Sequence, residues 1–382
     1  MEILVLTPTP SHPQDQGNRK GVYAFTKEFA DRGARIHFLY VPTEWYGGFS
    51  PREHMAMSDC WDIFHVIPPR EKLGFTPNPD GMDIDCIWYD DIETAVRWWC
   101  KGVRMDAVVC HYVFLSKVLE IVPESTFKIL YTHDKFSDRH KMLTAQSLKP
   151  DYFYTTPKGE GKAFDRADLV VAVKENEAED FRKLTRTEVV TIGHAGVPTK
   201  RDLVPATDGK LRIGFIGSEN AVNCTNIDRF FNRFGAEVAA RSDWEFIIAG
   251  KICDRWSSEL TNVKLLGRIG ELADFYNQVD VVFIPFEFST GIKIKAIEAM
   301  SFSTPVIMTR DAADGLPVSG ALHQCDSQRA VLDGLIALAD NREKLQPLTA
   351  LSEEVYGRIR QEIASKIDTV FTQIRDKRRQ TA

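Results

Sequence analysis

The sequence has no run approaching the ~20 apolar residues needed to cross a bilayer as a helix, so a helical membrane protein is not expected. The opening stretch Ile3-Leu4-Val5-Leu6 follows an acidic residue and is too short for a secretory core; it reads as a first β-strand. Seven cysteines are scattered with no Cys-x-x-Cys spacing, which argues against a disulfide framework and against a zinc site. A basic excess is also missing. The net charge is −6, and the only clear basic run is Lys377-Arg378-Arg379, so bulk nucleic-acid binding is not expected. There is no Gly-x-Gly-x-x-Gly, Walker loop, Gly-x-Ser-x-Gly or His-Glu-x-x-His, which removes the standard dinucleotide, P-loop, serine-hydrolase and zincin chemistries. Asp83-Ile84-Asp85 has metal-like spacing but lies in a stretch rich in Pro, Gly and aromatics and reads as a solvated turn. No metal and no cofactor is therefore expected, and cytoplasmic residence is the default.

What is present is enough material for two cores. At 382 residues with 43% hydrophobic and 27% charged, the chain suggests two domains of ~100–200 residues each. Short β-branched runs alternate with helical spacing almost throughout, the pattern of parallel sheets covered by helices. Strands are expected at Ile3–Leu6, Arg35–Val41, Ala107–Cys110, Lys128–Thr132, Leu169–Val173 and Val189–Ile192, with a helix over Val22–Arg32 and irregular chain over Trp45–Asp85. Turn formers cluster at Gly196-Val197-Pro198 and Pro205-Ala206-Thr207-Asp208-Gly209. Strands then resume at Leu211–Gly217, Glu245–Gly250, Val263–Gly267, Val281–Pro285 and Pro305–Thr309. The expected architecture is α/β: two Rossmann-like, doubly wound domains over residues 1–198 and 205–359, facing across a cleft. Leu348, Leu351, Val355, Ile359, Ile363, Ile367, Phe371 and Ile374 recur at three- and four-residue steps, which predicts a long amphipathic C-terminal helix.

The residues with most chemistry lie in Pro285–Met300. A strand runs into Ser289-Thr290-Gly291, where a helix is expected to start. A helix N-terminus presents unpaired N–H groups and a positive dipole end, a ready site for diphosphate. Lys295 and Glu298 are three apart and so share a helical face; the lysine can neutralise phosphate and the carboxylate can accept from ribose hydroxyls. The alternative on local chemistry is an ordinary strand–helix turn with a surface Lys–Glu pair. Lys293 is either a phosphate ligand or a solvated first-turn lysine.

This segment, with Lys295-Ala296-Ile297-Glu298-Ala299-Met300 followed by Thr304-Pro305-Val306-Ile307, resembles the donor-binding signature of GT4-type glycosyltransferases of the GT-B fold. The resemblance covers nearly the whole chain in order and is sharpest over residues 281–309. It implies that Glu298 binds the nucleotide ribose and that the backbone of Gly291 and Ile292 meets the phosphates or the sugar. It also implies that residues 360–382 of the last helix cross back onto the first domain. The pattern's usual glutamate, eight residues before Glu298, is here Thr290. Ile216-Gly217-Ser218 resembles the family's first strand and turn of the second domain, placing Ser218 near the donor.

In the first half, Tyr131-Thr132-His133-Asp134 follows a buried-looking strand. A histidine there can donate a hydrogen bond or shuttle a proton; the resemblance turns His133 toward the donor sugar. Asp134 could cap the following helix and Arg139 could reach the acceptor. The loop Thr7–Gly21, with Gly17 and Arg19, resembles the family's loop near the donor phosphates and reads equally as a flexible surface loop. Trp45-Tyr46 and Trp98-Trp99 could form an acceptor platform, although spacing favours core packing for the second pair. His194 looks like the family's hinge and is taken as structural.

The function these expectations converge on is sugar transfer from a nucleoside-diphosphate sugar to a glycan or lipid-linked acceptor. The resemblance implies retention of configuration without a metal, and domain closure over the donor. The resemblance also implies polysaccharide biosynthesis as the setting, in the cytoplasm, where the chain could make peripheral contact with the inner face of the membrane. Two alternatives stand beside it: a GT-B sugar-nucleotide epimerase, and a nucleotide-sugar-binding scaffold without catalysis.

Overall fold

A computed structural model describes the chain apart from residues 15, 43–49, 70–74, 151, 194, 197, 200, 204–207, 290, 319 and 382. It forms two compact units, Met1–His194 with Ile363–Ala382, and Ala195–Glu362.

The first unit carries a seven-stranded sheet: β1 (Glu2–Thr7), β2 (Arg35–Tyr40), β3 (Ile63–Val66), β4 (Ala107–His111), β5 (Phe127–Tyr131), β6 (Leu169–Ala172) and β7 (Glu188–Thr191). Their order is β3-β2-β1-β4-β5-β6-β7, and every pairing is parallel. Helices cover both faces of such a sheet, so central strands are apolar without alternation; Ile3–Leu6 and Ala107–Cys110 are accordingly buried residue by residue.

Two expectations need correction here. The irregular stretch Trp45–Asp85 contains the helix Pro51–Cys60 and strand β3. Ser50 opens that helix with a reciprocal capping box to Glu53, which removes two orphan donors at once. The aromatics that suggested a loop are packing anchors, with Trp61 stacked on Phe38 at 5.3 Å. Asp85 is not a solvated turn residue: Arg166 and Lys162 both donate to it, and these partners outweigh its partial burial and hold its carboxyl below the usual range. Of the tryptophan pairs, Trp45 and Tyr46 lie outside the described residues. Trp99 is half-buried and donates to His37 Nδ1 at 2.8 Å, whereas Trp98 is 68% exposed.

The second unit carries β8 (Leu211–Ile216), β9 (Trp244–Ala249), β10 (Val263–Gly267), β11 (Val281–Ile284) and β12 (Val306–Met308), in the order β10-β9-β8-β11-β12. All its pairings are parallel. The last helix is a single element, Leu345–Gln380. Its residues to Glu362 count with the second unit and those from Ile363 with the first, where Phe371 stacks on Phe29 at 5.4 Å. Among the described residues no helix is long and apolar enough to cross a membrane.

Both sheets have a point where strand order reverses, between β1 and β4 in one and between β8 and β11 in the other. Ligands of open α/β sheets gather outside the carboxyl ends of the strands at such points.

The second unit also buries a histidine away from that point. His323 is fully buried, with Nε2 at 3.3 Å from Ser352 Oγ, and burial lowers its pKa from 6.5 to about 4. The unfolded chain takes this proton near 6.5, so the stability from keeping the ring neutral is complete above that pH. It is lost as pH falls toward 4, by about 1.4 kcal/mol per pH unit. Going from pH 7 to pH 5 should cost the second unit roughly 2 kcal/mol through this residue. Denaturant melts of His323→Gln across that range should show a slope smaller by one proton; an unchanged slope would remove His323 as its source.

Candidate functional site

In the second unit the carboxyl ends of β8 and β11 are tied together by asparagines. Asn220 caps the helix Ala221–Ala239, accepting from Asn223 N. Asn223 Nδ2 donates to Ser218 O and Oγ at 3.0 and 3.1 Å, and its Oδ1 accepts from Lys295 Nζ at 2.9 Å. The amide orientation is thus fixed by partners on both ends. Lys295 Nζ also lies 4.5 Å from the centre of the Phe286 ring and 5.4 Å from that of Phe215, an arrangement that stabilises a cation on aromatic faces. Ser218 and Lys295 are thereby brought to one place, the first from the turn after β8 and the second from the helix after β11.

The helix after β11 runs over Ile294–Ser301, three residues later than expected from Ser289-Thr290-Gly291. Its N-terminal neighbour Lys293 has non-helical backbone angles. The side chain of Lys293 is only 5% exposed and returns to donate to Gly291 O at 2.5 Å, so it is not a solvated first-turn lysine. Gly291 has φ +59°. Ile292 follows it, half-buried, before the helix. Thr290 lies outside the described residues.

Glu298 lies inward on that helix, 9% exposed, with Oε1 accepting from Tyr276 OH at 3.0 Å. Tyr276 is fully buried, and burial together with the Glu298 charge pushes its phenol well above 10, so it remains a donor. The partners described for Lys295 and Glu298 are therefore in the protein interior, which a surface Lys–Glu pair would not require. Glu287 does not stand in for the glutamate the pattern has at position 290: its carboxylate pairs with Arg233, and its N–H donates to Asn226 Oδ1 at 2.8 Å. Gln328 Nε2 holds Pro285 O at 2.8 Å, and Ser289 Oγ donates to Asp311 Oδ1 at 2.5 Å. The loop is thus fixed from three directions, and a hollow of about 210 Å³ is lined by Phe286, Glu287, Asp311 and Ser327.

In the first unit, Gly17 and Arg19 are not in a flexible loop. They form the first turn of the helix Gly17–Ala30, the element that follows β1 in the chain. Arg19 lies 3.7 Å from Glu53 with its side chain mostly covered. The N-cap Gln16 makes no side-chain cap, and the Arg19 N–H donates to Asn18 Oδ1 at 2.9 Å.

His133 follows β5 in the left-handed region, φ +65°, uncommon for a residue with a side chain although histidine is enriched there. Its ring stacks on Tyr112 at 4.2 Å, and its Nε2 lies 2.8 Å from His111 Nδ1. The chain just beyond is anchored from beneath: buried Glu160 accepts from the N–H groups of Phe136 and Ser137 at 2.8 and 3.1 Å, and burial pushes its carboxyl up. Asp134 pairs with Arg139 and does not cap the next helix, whose N-cap is Asp138.

Sequence reasoning passed over Asn223, Tyr276, His111 and Glu160. Asn220 and Asn223 carry a signal, as an N-cap asparagine three residues before another polar residue. The others sit within strands or helices, where nothing in the spacing connects them to the site.

Residues 210–341 match the family described as glycosyl transferases group 1. No curated protein sequence matches the chain significantly. Among solved structures, sucrose-phosphate synthase from Thermosynechococcus elongatus is similar at TM-score 0.68 and 13% identity, with 98% of each chain covered. HepE of Anabaena, solved with UDP, is similar at 0.66 and 13%, covering 97% of this chain and all of its own. A glycosyltransferase from Rickettsia africae is similar at 0.64 and 13%, with 98% of each covered. The chain therefore has the GT-B fold, and its second unit matches the glycosyl transferases group 1 family over residues 210–341.

Proposed function

We propose that this chain is a glycosyltransferase that takes its sugar from a nucleoside-diphosphate donor, held in the second unit. The observation that carries the reading is the seat of Lys295. A cation is fixed between Asn223 and two aromatic rings at the carboxyl ends of β8 and β11, inside the segment that matches the family. Preorganised positive charge of this kind stabilises a departing diphosphate without reorganisation, often the dominant source of rate acceleration in an enzyme. Glu298 is assigned to the ribose, Gly291 and Ile292 to the phosphates or sugar, and Ser218 and Lys293 to the same donor. Gly17 and Arg19 are assigned to the donor phosphates and His133 to the sugar. The donor class is supported by HepE, a structural neighbour solved with UDP, with UDP and glucose, and with UDP-glucose. We further propose a GT4-type reaction that retains configuration and needs no metal, the leaving phosphate taking the acceptor proton, with a glycan or lipid-linked acceptor.

A thermal-shift series with UDP, GDP, ADP and CMP tests the donor site. A ligand binding only the folded state at ~100 times its Kd adds ~2.7 kcal/mol, so one diphosphate should raise the melting temperature clearly. No shift with any of them sinks the donor assignment. The replacement of the usual glutamate by Thr290 supports a second reading, a binding protein without turnover; nucleotide binding with no nucleotide release from any nucleotide sugar, with or without acceptors, would select it.

A further inference from the structure

The pair His111–His133 carries more than a contact. His111 closes β4, is fully buried, and points its Nδ1 at His133 Nε2 from 2.8 Å. A separation this short between two ring nitrogens requires one hydrogen between them. Burial drops the His111 pKa to about 3, so that ring is neutral at ordinary pH and carries a single N–H. Its remaining nitrogen, Nε2, is buried and has no hydrogen-bond partner among the described residues. Were the hydrogen on His133 Nε2, the one on His111 would have to sit at that orphaned Nε2. Buried N–H groups without a partner are rarer than under-used acceptors.

We propose that His111 is a positioning residue: it donates from Nδ1 to His133 Nε2 and thereby fixes His133 as the Nδ1–H tautomer, presenting a hydrogen-bond donor to its ligand. The idea that this ligand is the transferred sugar rests on the proposed function; the tautomer does not. The surrounding geometry holds the ring for that purpose. Tyr112 stacks parallel to His133 at 4.2 Å, and Tyr131 meets its edge at 4.7 Å. Both Tyr112 and His133 keep positive φ, +70° and +65°, a backbone conformation that persists where the surroundings over-determine it. With Nε2 occupied by His111, His133 can offer an oxygen only its Nδ1–H, so in its neutral form it acts on substrate as a donor and not as a general base.

The test is ¹⁵N–¹H correlation of the imidazoles in the full chain labelled at histidine, near neutral pH, with variants at residue 111. We expect His133 with hydrogen on Nδ1 and a bare Nε2. In His111→Leu we expect it to revert to the Nε2–H form that free histidine favours, with kcat/KM for transfer lower by roughly tenfold. His111→Asn places an amide N–H near the Nδ1 position and should restore both the tautomer and most of the activity. A wild-type spectrum with hydrogen on His133 Nε2 overturns the proposal, as does an equal loss in Leu and Asn variants with His133 unchanged in both. If the protein binds no nucleoside diphosphate, the proposed function fails, but the wild-type spectrum still decides the tautomer.

Discussion

Lys295→Met should reduce sugar transfer by about 10²–10³-fold, the usual cost of removing one preorganised charge or donor from a developing anion. Methionine keeps the apolar stem that lies against Phe286 and Phe215 and deletes only the ammonium. The change is therefore aimed at charge more than packing. It does leave Asn223 Oδ1 without the partner it has at 2.9 Å. Asn223 is only 4% exposed, so about 1–3 kcal/mol of stability in the second unit should go with it. Lys295→Arg is not expected to rescue fully, since a planar fork cannot occupy the seat of a compact ammonium between two rings. Because Lys295 and Asn223 act as a pair, Asn223→Ala combined with Lys295→Met should cost less than the sum of the two alone. The measurement is kcat and KM for nucleotide release, with melting temperature in parallel. If the ammonium acts on the departing diphosphate, kcat falls; a rise confined to KM would limit Lys295 to ground-state binding. Wild-type kcat/KM in a folded Lys295→Met protein would remove it from the site.

How much of this was legible in the sequence differs between strands and contacts. The strands expected from Leu211, Glu245, Val281 and Pro305 are readable because parallel strands buried on both faces need continuous apolar runs; the one from Val263 is an edge strand with no buried residue and is marked instead by Val263, Leu265 and Leu266 before the turn at Gly267. Strand β3 was not readable. Ile63–Val66 is an edge strand with none of its four residues fully buried, so it needs no such run, and the aromatics around it resemble a loop. The start of the helix at Gly17 was hidden for a related reason: it has no side-chain cap, hence no capping residue to mark it. For the site, Lys295 and Glu298 stand out by their spacing on one helix. Their partners do not: Asn223 is 72 residues from Lys295 and Tyr276 is 22 from Glu298. Only the sheet order, with β8 beside β11, brings the first pair together. His111 and His133 pose the same difficulty in the other unit. His111 closes β4 and His133 lies two residues beyond the end of its neighbour β5, but a single sequence does not say which strands are neighbours.

Gly250→Ala should destabilise the second unit by roughly 3–5 kcal/mol, combining backbone strain with a clash that has no soft side. Gly250 follows β9 directly at φ +92°, a conformation that side chains rarely adopt. A Cβ there would stand 2.5 Å from Gly217 O and 3.2 Å from Gly217 N. Neither atom can yield cheaply, because Gly217 N donates to Ala249 O at 3.1 Å and Gly217 O accepts from Ile252 N at 3.0 Å. Relief must come from moving the β8 turn, and Ser218 moves with it, so nucleotide-induced stabilisation should shrink as well. Gly267→Ala is the matched control. Gly267 accepts from Gly250 N at 2.8 Å and also has positive φ, +69°, but a Cβ on it would meet nothing within 4 Å. Its cost should be the conformational part alone, about 1–2 kcal/mol, with nucleotide binding intact. Hydrogen exchange of the β8 and β9 amides reads the two losses locally, and thermal shift with the bound nucleotide reads the second effect. Equal destabilisation in the two variants would mean that φ alone governs Gly250 and that the close approach to Gly217 is not what holds the turn.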